Sequence, residues 1–139
     1  MRIPIILADD HLLFLEGLKI ILLREGFDVV GTAEDGQVAV KLAQDLQPEL
    51  AILDLGMPIM NGIDAAREIR RVSPATKSIL VTIHSQDQYV LEALKAGVKG
   101  YVLKSQSAED LVQAIKEVSQ GGLYFSPGIS RAVVDAYLR

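Results

Sequence analysis

The stretch PIILADDHLLFLEGLKIILLREGFDVVGTA, residues 4–33, holds two short apolar runs on either side of a longer amphipathic one. Ile3–Ala8 and Asp28–Ala33 are rich in Ile, Leu and Val and read as strands buried inside a sheet. Between them Leu15, Leu18, Ile21 and Leu22 recur at helical spacing, and Gly26 stands where a left-handed C-cap is expected, which predicts a helix over Leu12–Arg24. Strand, helix and returning strand make a parallel unit with a right-handed crossover.

The same rhythm continues along the chain. Leu50–Leu53, Ser78–Thr82 and Gly100–Leu103 read as three further strands, and Gln37–Asp45, Gly62–Arg71, Gln88–Lys95 and Ala108–Gln120 as helices. Leu111, Ala114, Ile115 and Val118 form the apolar stripe of the last of these, with Ser107 as its expected N-cap. Alternation of this kind predicts an α/β fold: a doubly wound, five-stranded parallel sheet in a flavodoxin-like three-layer sandwich with strand order 2-1-3-4-5. In the tail, Ser126 reads as an N-cap and Pro127 as the first residue of a short extra helix carrying Ile129, Val133 and Tyr137.

Composition narrows the class. The chain has 139 residues, 50% of them hydrophobic, a net charge of −4 and no cysteine, which suits one globular domain and excludes disulfide frameworks and thiolate metal sites. No stretch approaches the roughly 20 apolar residues of a membrane helix, so a cytoplasmic protein without membrane contact is expected. The acidic balance, with no Lys/Arg cluster, argues against nucleic-acid binding by these residues.

Ligands of such sheets bind beyond the carboxyl ends of the strands. Asp9 and Asp10 follow the first strand, Asp54 the third and Lys104 the fifth, while Thr82 ends the fourth. Adjacent carboxylates repel each other, so Asp9 and Asp10 call for a positive partner. Oxygen donors without His or Cys spacing suit hard Mg²⁺, which in turn attracts phosphate. Thr82 and Lys104 would then hold phosphoryl oxygens, and Asp54 would attack phosphorus to give an aspartyl phosphate. Singly, each residue has a plainer role: Asp10 or Asp54 as a helix cap, Thr82 as a ladder residue, Lys104 as solvated surface, His11 as a helix-entry residue. Only their joint placement favours chemistry.

The segments ADDH (8–11), LDLGMPIMNG (53–62), ILVTIHS (79–85) and GYVLK (100–104) together resemble, in order and spacing, bacterial two-component response-regulator receiver domains. The resemblance covers about residues 3–120. It implies Asp54 as phosphoacceptor, Asp9, Asp10, Asp54 and the Gly56 backbone carbonyl as Mg²⁺ site, and Thr82 and Lys104 as phosphoryl partners. It also implies Tyr101 as an aromatic that reorients when Thr82 moves. The tail AIKEVSQGGLYFSP (114–127) is similar to that of NarL/FixJ-type regulators with a helix-turn-helix output domain. On that reading the receiver spans 1–122, and 123–139 is a linker or extra helix leading to an output domain that this chain lacks. A sensor histidine kinase, a homodimer formed on phosphorylation and DNA reached only through that output domain are the partners implied. The function implied is signalling with self-phosphotransfer and autodephosphorylation, not enzymatic turnover.

Departures from the family pattern are few. Ile83, bulky where many receivers are small, would narrow access to Asp54, and His84 is either a residue that influences water near the phosphoryl group or an ordinary exposed loop histidine. Ser105 replaces the common proline after Lys104, which leaves the isomer of that peptide open. The competing enzyme reading, an Mg²⁺-dependent phosphatase like the haloacid-dehalogenase enzymes, would need its nucleophile on the first strand and a cap domain. A flavin site would need hydroxyls and N–H groups where ADDH presents carboxylates.

Overall fold

In the computed structural model, which describes residues 2–139, the expected apolar runs become β1 (Pro4–Ala8), β2 (Asp28–Ala33), β3 (Leu50–Asp54), β4 (Lys77–Thr82) and β5 (Gly100–Leu103). The helices between and after them are α1 (Leu12–Arg24), α2 (Gly36–Leu46), α3 (Gly62–Val72), α4 (Asp87–Lys95) and α5 (Ala108–Ser119). Every strand pair is parallel, and the first five strands stand in the expected order 2-1-3-4-5. All residues of β3 and β5 are buried, whereas β2, at one edge, alternates toward solvent.

Successive strand residues point to opposite faces and so build two cores. Ile6, Leu53, Leu80 and Tyr101 meet small and aliphatic residues of α2, α3 and α4, among them Ala39, Ala66, Ile69 and Val90. Ile5, Ile52, Val81 and Val102 meet Leu15, Leu18 and Leu22 of α1 and Leu111, Ile115 and Val118 of α5 on the other side. The sandwich therefore has its three layers.

The C-terminal segment departs from expectation. A sixth strand, β6 (Tyr124–Phe125), extends the sheet beyond β5, and the last helix, α6 (Arg131–Leu138), begins later than Ser126 and Pro127 suggested. Ser126 is 2% exposed and its hydroxyl serves a distant partner, accepting from the Leu103 N–H at 3.0 Å. Gly128, at φ +100°, then breaks the backbone before a helix can start. The cap is Ser130 instead, which accepts from the Val133 N–H at 3.4 Å. Val134 is fully buried, while Tyr137, on the stripe read from sequence, is 41% exposed.

The start of α3 is pressed against the end of β3. Asn61 caps the helix by accepting from the Asp64 N–H at 2.9 Å, and Gly62 comes next. A Cβ on Gly62 would stand 2.3 Å from the Asp54 carbonyl oxygen, so only glycine lets α3 approach the strand this closely. Gly62→Ala should therefore cost about 2–3 kcal/mol, in the range of overpacking a core, and lower the thermal midpoint. A midpoint equal to that of the wild type would show that the approach is not tight.

Candidate functional site

Asp9, Asp54 and Thr82 lie at strand ends with 2%, 6% and 1% exposure, and Lys104 follows β5. The ammonium of Lys104 reaches across the sheet edge, 2.9 Å from Asp9 Oδ2 and 3.3 Å from Asp54 Oδ1. Its backbone N–H donates to the Thr82 carbonyl at 2.8 Å. The fold thus gathers all five residues singled out from the sequence at one edge, with Asp10 at the solvent rim. Lys104 is a positive neighbour for Asp9 and Asp54.

It does not balance them. Three carboxylates and one ammonium leave about two negative charges at the edge. Burial, and then the charge of Asp9, hold the Asp54 carboxyl above the ordinary carboxylate range; Lys104 and a backbone hydrogen bond from Gly56 pull it partly back. Donor atoms of Asp9, Asp10, His11 and Asp54 lie within 4.8 Å of one another. Oxygen donors with surplus negative charge fit a hard divalent cation. His11 is the exception in that set. Its Nδ1 stands 3.3 Å from Asp9 Oδ1 and 3.6 Å from Asp10 Oδ1, and its ring is largely exposed. Its backbone N–H donates to Asp9 Oδ1 at 2.8 Å, fixing that carboxylate as α1 begins.

Several participants carry no signal of their own in the sequence. Phe14, in the first turn of α1, lies under the Lys104 ammonium at 4.5 Å and holds it by a cation–π contact. The loop after β3 turns through Ile59, whose φ of +69° is strained for a β-branched residue, while the Met60 N–H donates to the Pro58 carbonyl at 2.7 Å. His84 contributes through its peptide group. Thr82 Oγ1 accepts from the His84 N–H at 3.1 Å, and the Tyr101 hydroxyl donates to the His84 carbonyl at 2.7 Å. Both residues expected to switch therefore grip the backbone of one residue. The His84 ring leans on Tyr89, centroids 4.8 Å apart, and Ile83 is 75% exposed. No cis peptide occurs among the described residues, so Lys104–Ser105 is trans.

Comparison with known proteins agrees with this fold. The family described as the response regulator receiver domain matches residues 5–116. The chain is 40% identical over 139 residues to the transcriptional regulatory protein DegU of Brevibacillus brevis, covering 99% of this chain and 59% of that protein. It is 35% identical over 136 residues to the nitrate/nitrite response regulator protein NarL of Escherichia coli K12, covering 97% and 62%. The crystal structure of a LuxR-family two-component response regulator from Aurantimonas sp. superposes with a TM-score of 0.89 at 34% identity, covering 100% of both chains. The chain thus spans about three fifths of the length of the curated relatives it matches.

Proposed function

The chain belongs to the response regulator receiver domain family, and from that membership we propose that Asp54 is its phosphoacceptor, working with Lys104 and Thr82 in an Mg²⁺-dependent transfer. The observation that carries the reading is the Lys104 ammonium held between two buried carboxylates at an edge that still keeps surplus negative charge.

In the transfer, an oxygen of the Asp54 carboxylate forms a bond to phosphorus. The bond from phosphorus to the donor breaks, releasing imidazole from a phosphohistidine or acetate from acetyl phosphate. Asp9, Asp10, Asp54 and the Gly56 carbonyl would hold Mg²⁺, which when bound offsets the charge on the phosphoryl oxygens. Phe14 and the buried walls keep Lys104 extended along the edge, where its ammonium exchanges carboxylate oxygens for phosphoryl oxygens. Thr82 exchanges the His84 N–H for the same group.

Those exchanges limit the switch. Two charge-assisted hydrogen bonds are worth about 1.5–3 kcal/mol each. Both residues surrender existing bonds to make them, so the net falls below the about 5.5 kcal/mol that carries a two-state protein from 1:99 to 99:1. Release of the His84 backbone by Thr82, and then of Tyr101, supplies the coupling from the edge into α4. We assign a histidine kinase as donor and the exposed Leu12 and Leu13 of α1, beside the site, as part of its contact. Control of transcription, through DNA-reading residues outside 1–139 and with dimerisation as a further consequence, completes the proposal, set in the cytoplasm. No helix among the described residues is long and apolar enough to cross a membrane.

Intact-mass measurement after incubation with acetyl phosphate tests the metal role. With Mg²⁺ the protein should gain one phosphoryl group, and with a chelator none. Asp10→Ala should keep the fold, since it removes repulsion, but need at least about tenfold more Mg²⁺ for the same uptake. Uptake that is equal with and without Mg²⁺ would remove the metal from the mechanism.

A further inference from the structure

The amino ends of the strands, opposite the edge that holds Asp54, carry a group of buried hydroxyls. Ser73 and Thr76 lie between α3 and β4; their hydroxyls bond to each other at 2.6 Å, and that of Thr76 reaches the Pro48 carbonyl at 2.6 Å. Ser78, at the start of β4, is 5% exposed and bonds to nothing through its side chain. It stands alone in this. Among the described residues every other buried polar side chain has a partner: Asp9 and Asp54 share Lys104, Thr82 accepts from the His84 N–H, and Ser126 has Leu103 and Asp110. A buried hydroxyl with no partner inside the protein calls for one from outside.

The space for that partner is present. Ser78 shares a face of β4 with Leu80, which packs into the cluster on the α3 side, and together with Arg70 of α3 and with Gly97 and Lys99 before β5 it lines a cavity of about 110 Å³. One ordered water needs only about 10–15 Å³, so a larger group fits. The walls are positive. No carboxylate lines the cavity, and whereas Arg67 pairs with Asp64 and Glu92 and Arg71 pairs with Glu68, Arg70 and Lys99 enter no ion pair among the described residues. Lys77 adds no charge here, because its ammonium lies 3.4 Å from the Ser119 carbonyl of α5, on the other side of the sheet. Gly97 fits the guanidinium closely. At φ +89° it takes a conformation that favours glycine, and a Cβ on it would stand 2.6 Å from Arg70 Nη1.

We propose that this cavity binds the phosphate group of a small molecule, with Arg70 and Lys99 as its cations and the Ser78 hydroxyl as its neutral donor. A planar guanidinium matches two oxygens of a tetrahedral oxyanion, and the ammonium supplies a point charge for a third. The ligand would tie α3 to β4 and to the turn before β5. Ser78 and Thr82 stand at opposite ends of β4, roughly 13 Å apart along the strand, so the site is separate from the Asp54 edge and does not depend on how Asp54 is read.

The test is a titration with inorganic phosphate, followed by amide NMR, in the presence of a chelator and at constant ionic strength. Glycerol 3-phosphate is the second arm. The Ser78, Gly97 and Lys99 amides should shift and saturate with a Kd of about 1 mM or below, while those of Asp9 and Asp54 stay in place. Saturation by inorganic phosphate supports a site for the free ion, and saturation by the ester alone supports a site for a phosphorylated metabolite. Arg70→Ala should weaken binding at least about tenfold and Ser78→Ala about threefold or more, with phosphoryl uptake from acetyl phosphate at the wild-type level in both. Shifts that grow without saturating for both ligands would overturn the proposal. So would a Kd unchanged in Ser78→Ala, which would reduce the site to two surface cations.

Discussion

Asp54→Asn takes up no phosphoryl group from acetyl phosphate and Mg²⁺ under conditions that label the wild type fully. The substitution keeps the size of the side chain and an oxygen for the Gly56 backbone hydrogen bond, but an amide cannot form an acyl phosphate. No neighbour replaces it. Asp9 is bonded to the His11 N–H and to Lys104, and Asp10 stands at the rim. The expected loss is on the order of 10⁴-fold or more, the scale seen when a nucleophile is removed. Folding provides a control. Burial and Asp9 both disfavour the charge at residue 54, so the variant should melt at or above the wild-type temperature without metal. Full labelling of a folded Asp54→Asn protein would end the assignment.

Lys104→Ala should show the second large effect, and its sign depends on metal. Without Mg²⁺ it leaves Asp9 and Asp54 facing each other, nearly buried, with no ammonium between them. Breaking a fully buried pair costs about 3–5 kcal/mol; water reaches this edge, so we expect about 2–3 kcal/mol here. Mg²⁺ should restore most of that loss and stabilise the variant more than it stabilises the wild type, because it enters a more negative site. Phosphorylation should proceed slowly. The phosphorylated variant should then leave the Tyr101 and His84 resonances where they were, since the dianion has lost the cation that draws β5 toward it. A wild-type pattern of shifts on phosphorylation would show that the signal bypasses Lys104.

The parts of this protein legible in its sequence are those written in side-chain type. Continuous Ile, Val and Leu runs announced five strands because both faces of a central parallel strand are buried, as β3 and β5 are throughout. The residues after those runs announced which side chains would meet at the candidate site, since a strand of known direction fixes the end at which they gather. What stayed hidden was written in backbone or in distant contacts. β6 is two residues long and leaves no period to detect. Ser126 has the composition of a cap, yet its hydroxyl is taken by Leu103 and Asp110, 23 and 16 positions away. The His84 backbone joins Thr82 to Tyr101 through groups that almost every residue possesses, so nothing in the residue type marks that link. Phe14 looks like one more apolar residue of α1 until Lys104 is seen to lie over it.

The most direct measurement locates the phosphoryl group. Borohydride reduces an acyl phosphate to the alcohol, so reduction of protein labelled with acetyl phosphate and Mg²⁺, followed by digestion and peptide mass analysis, marks the residue that carried it. The account predicts the reduced side chain at position 54 alone. Its appearance at Asp9 or Asp10, or a label that resists reduction and maps to His11 or His84, would contradict it.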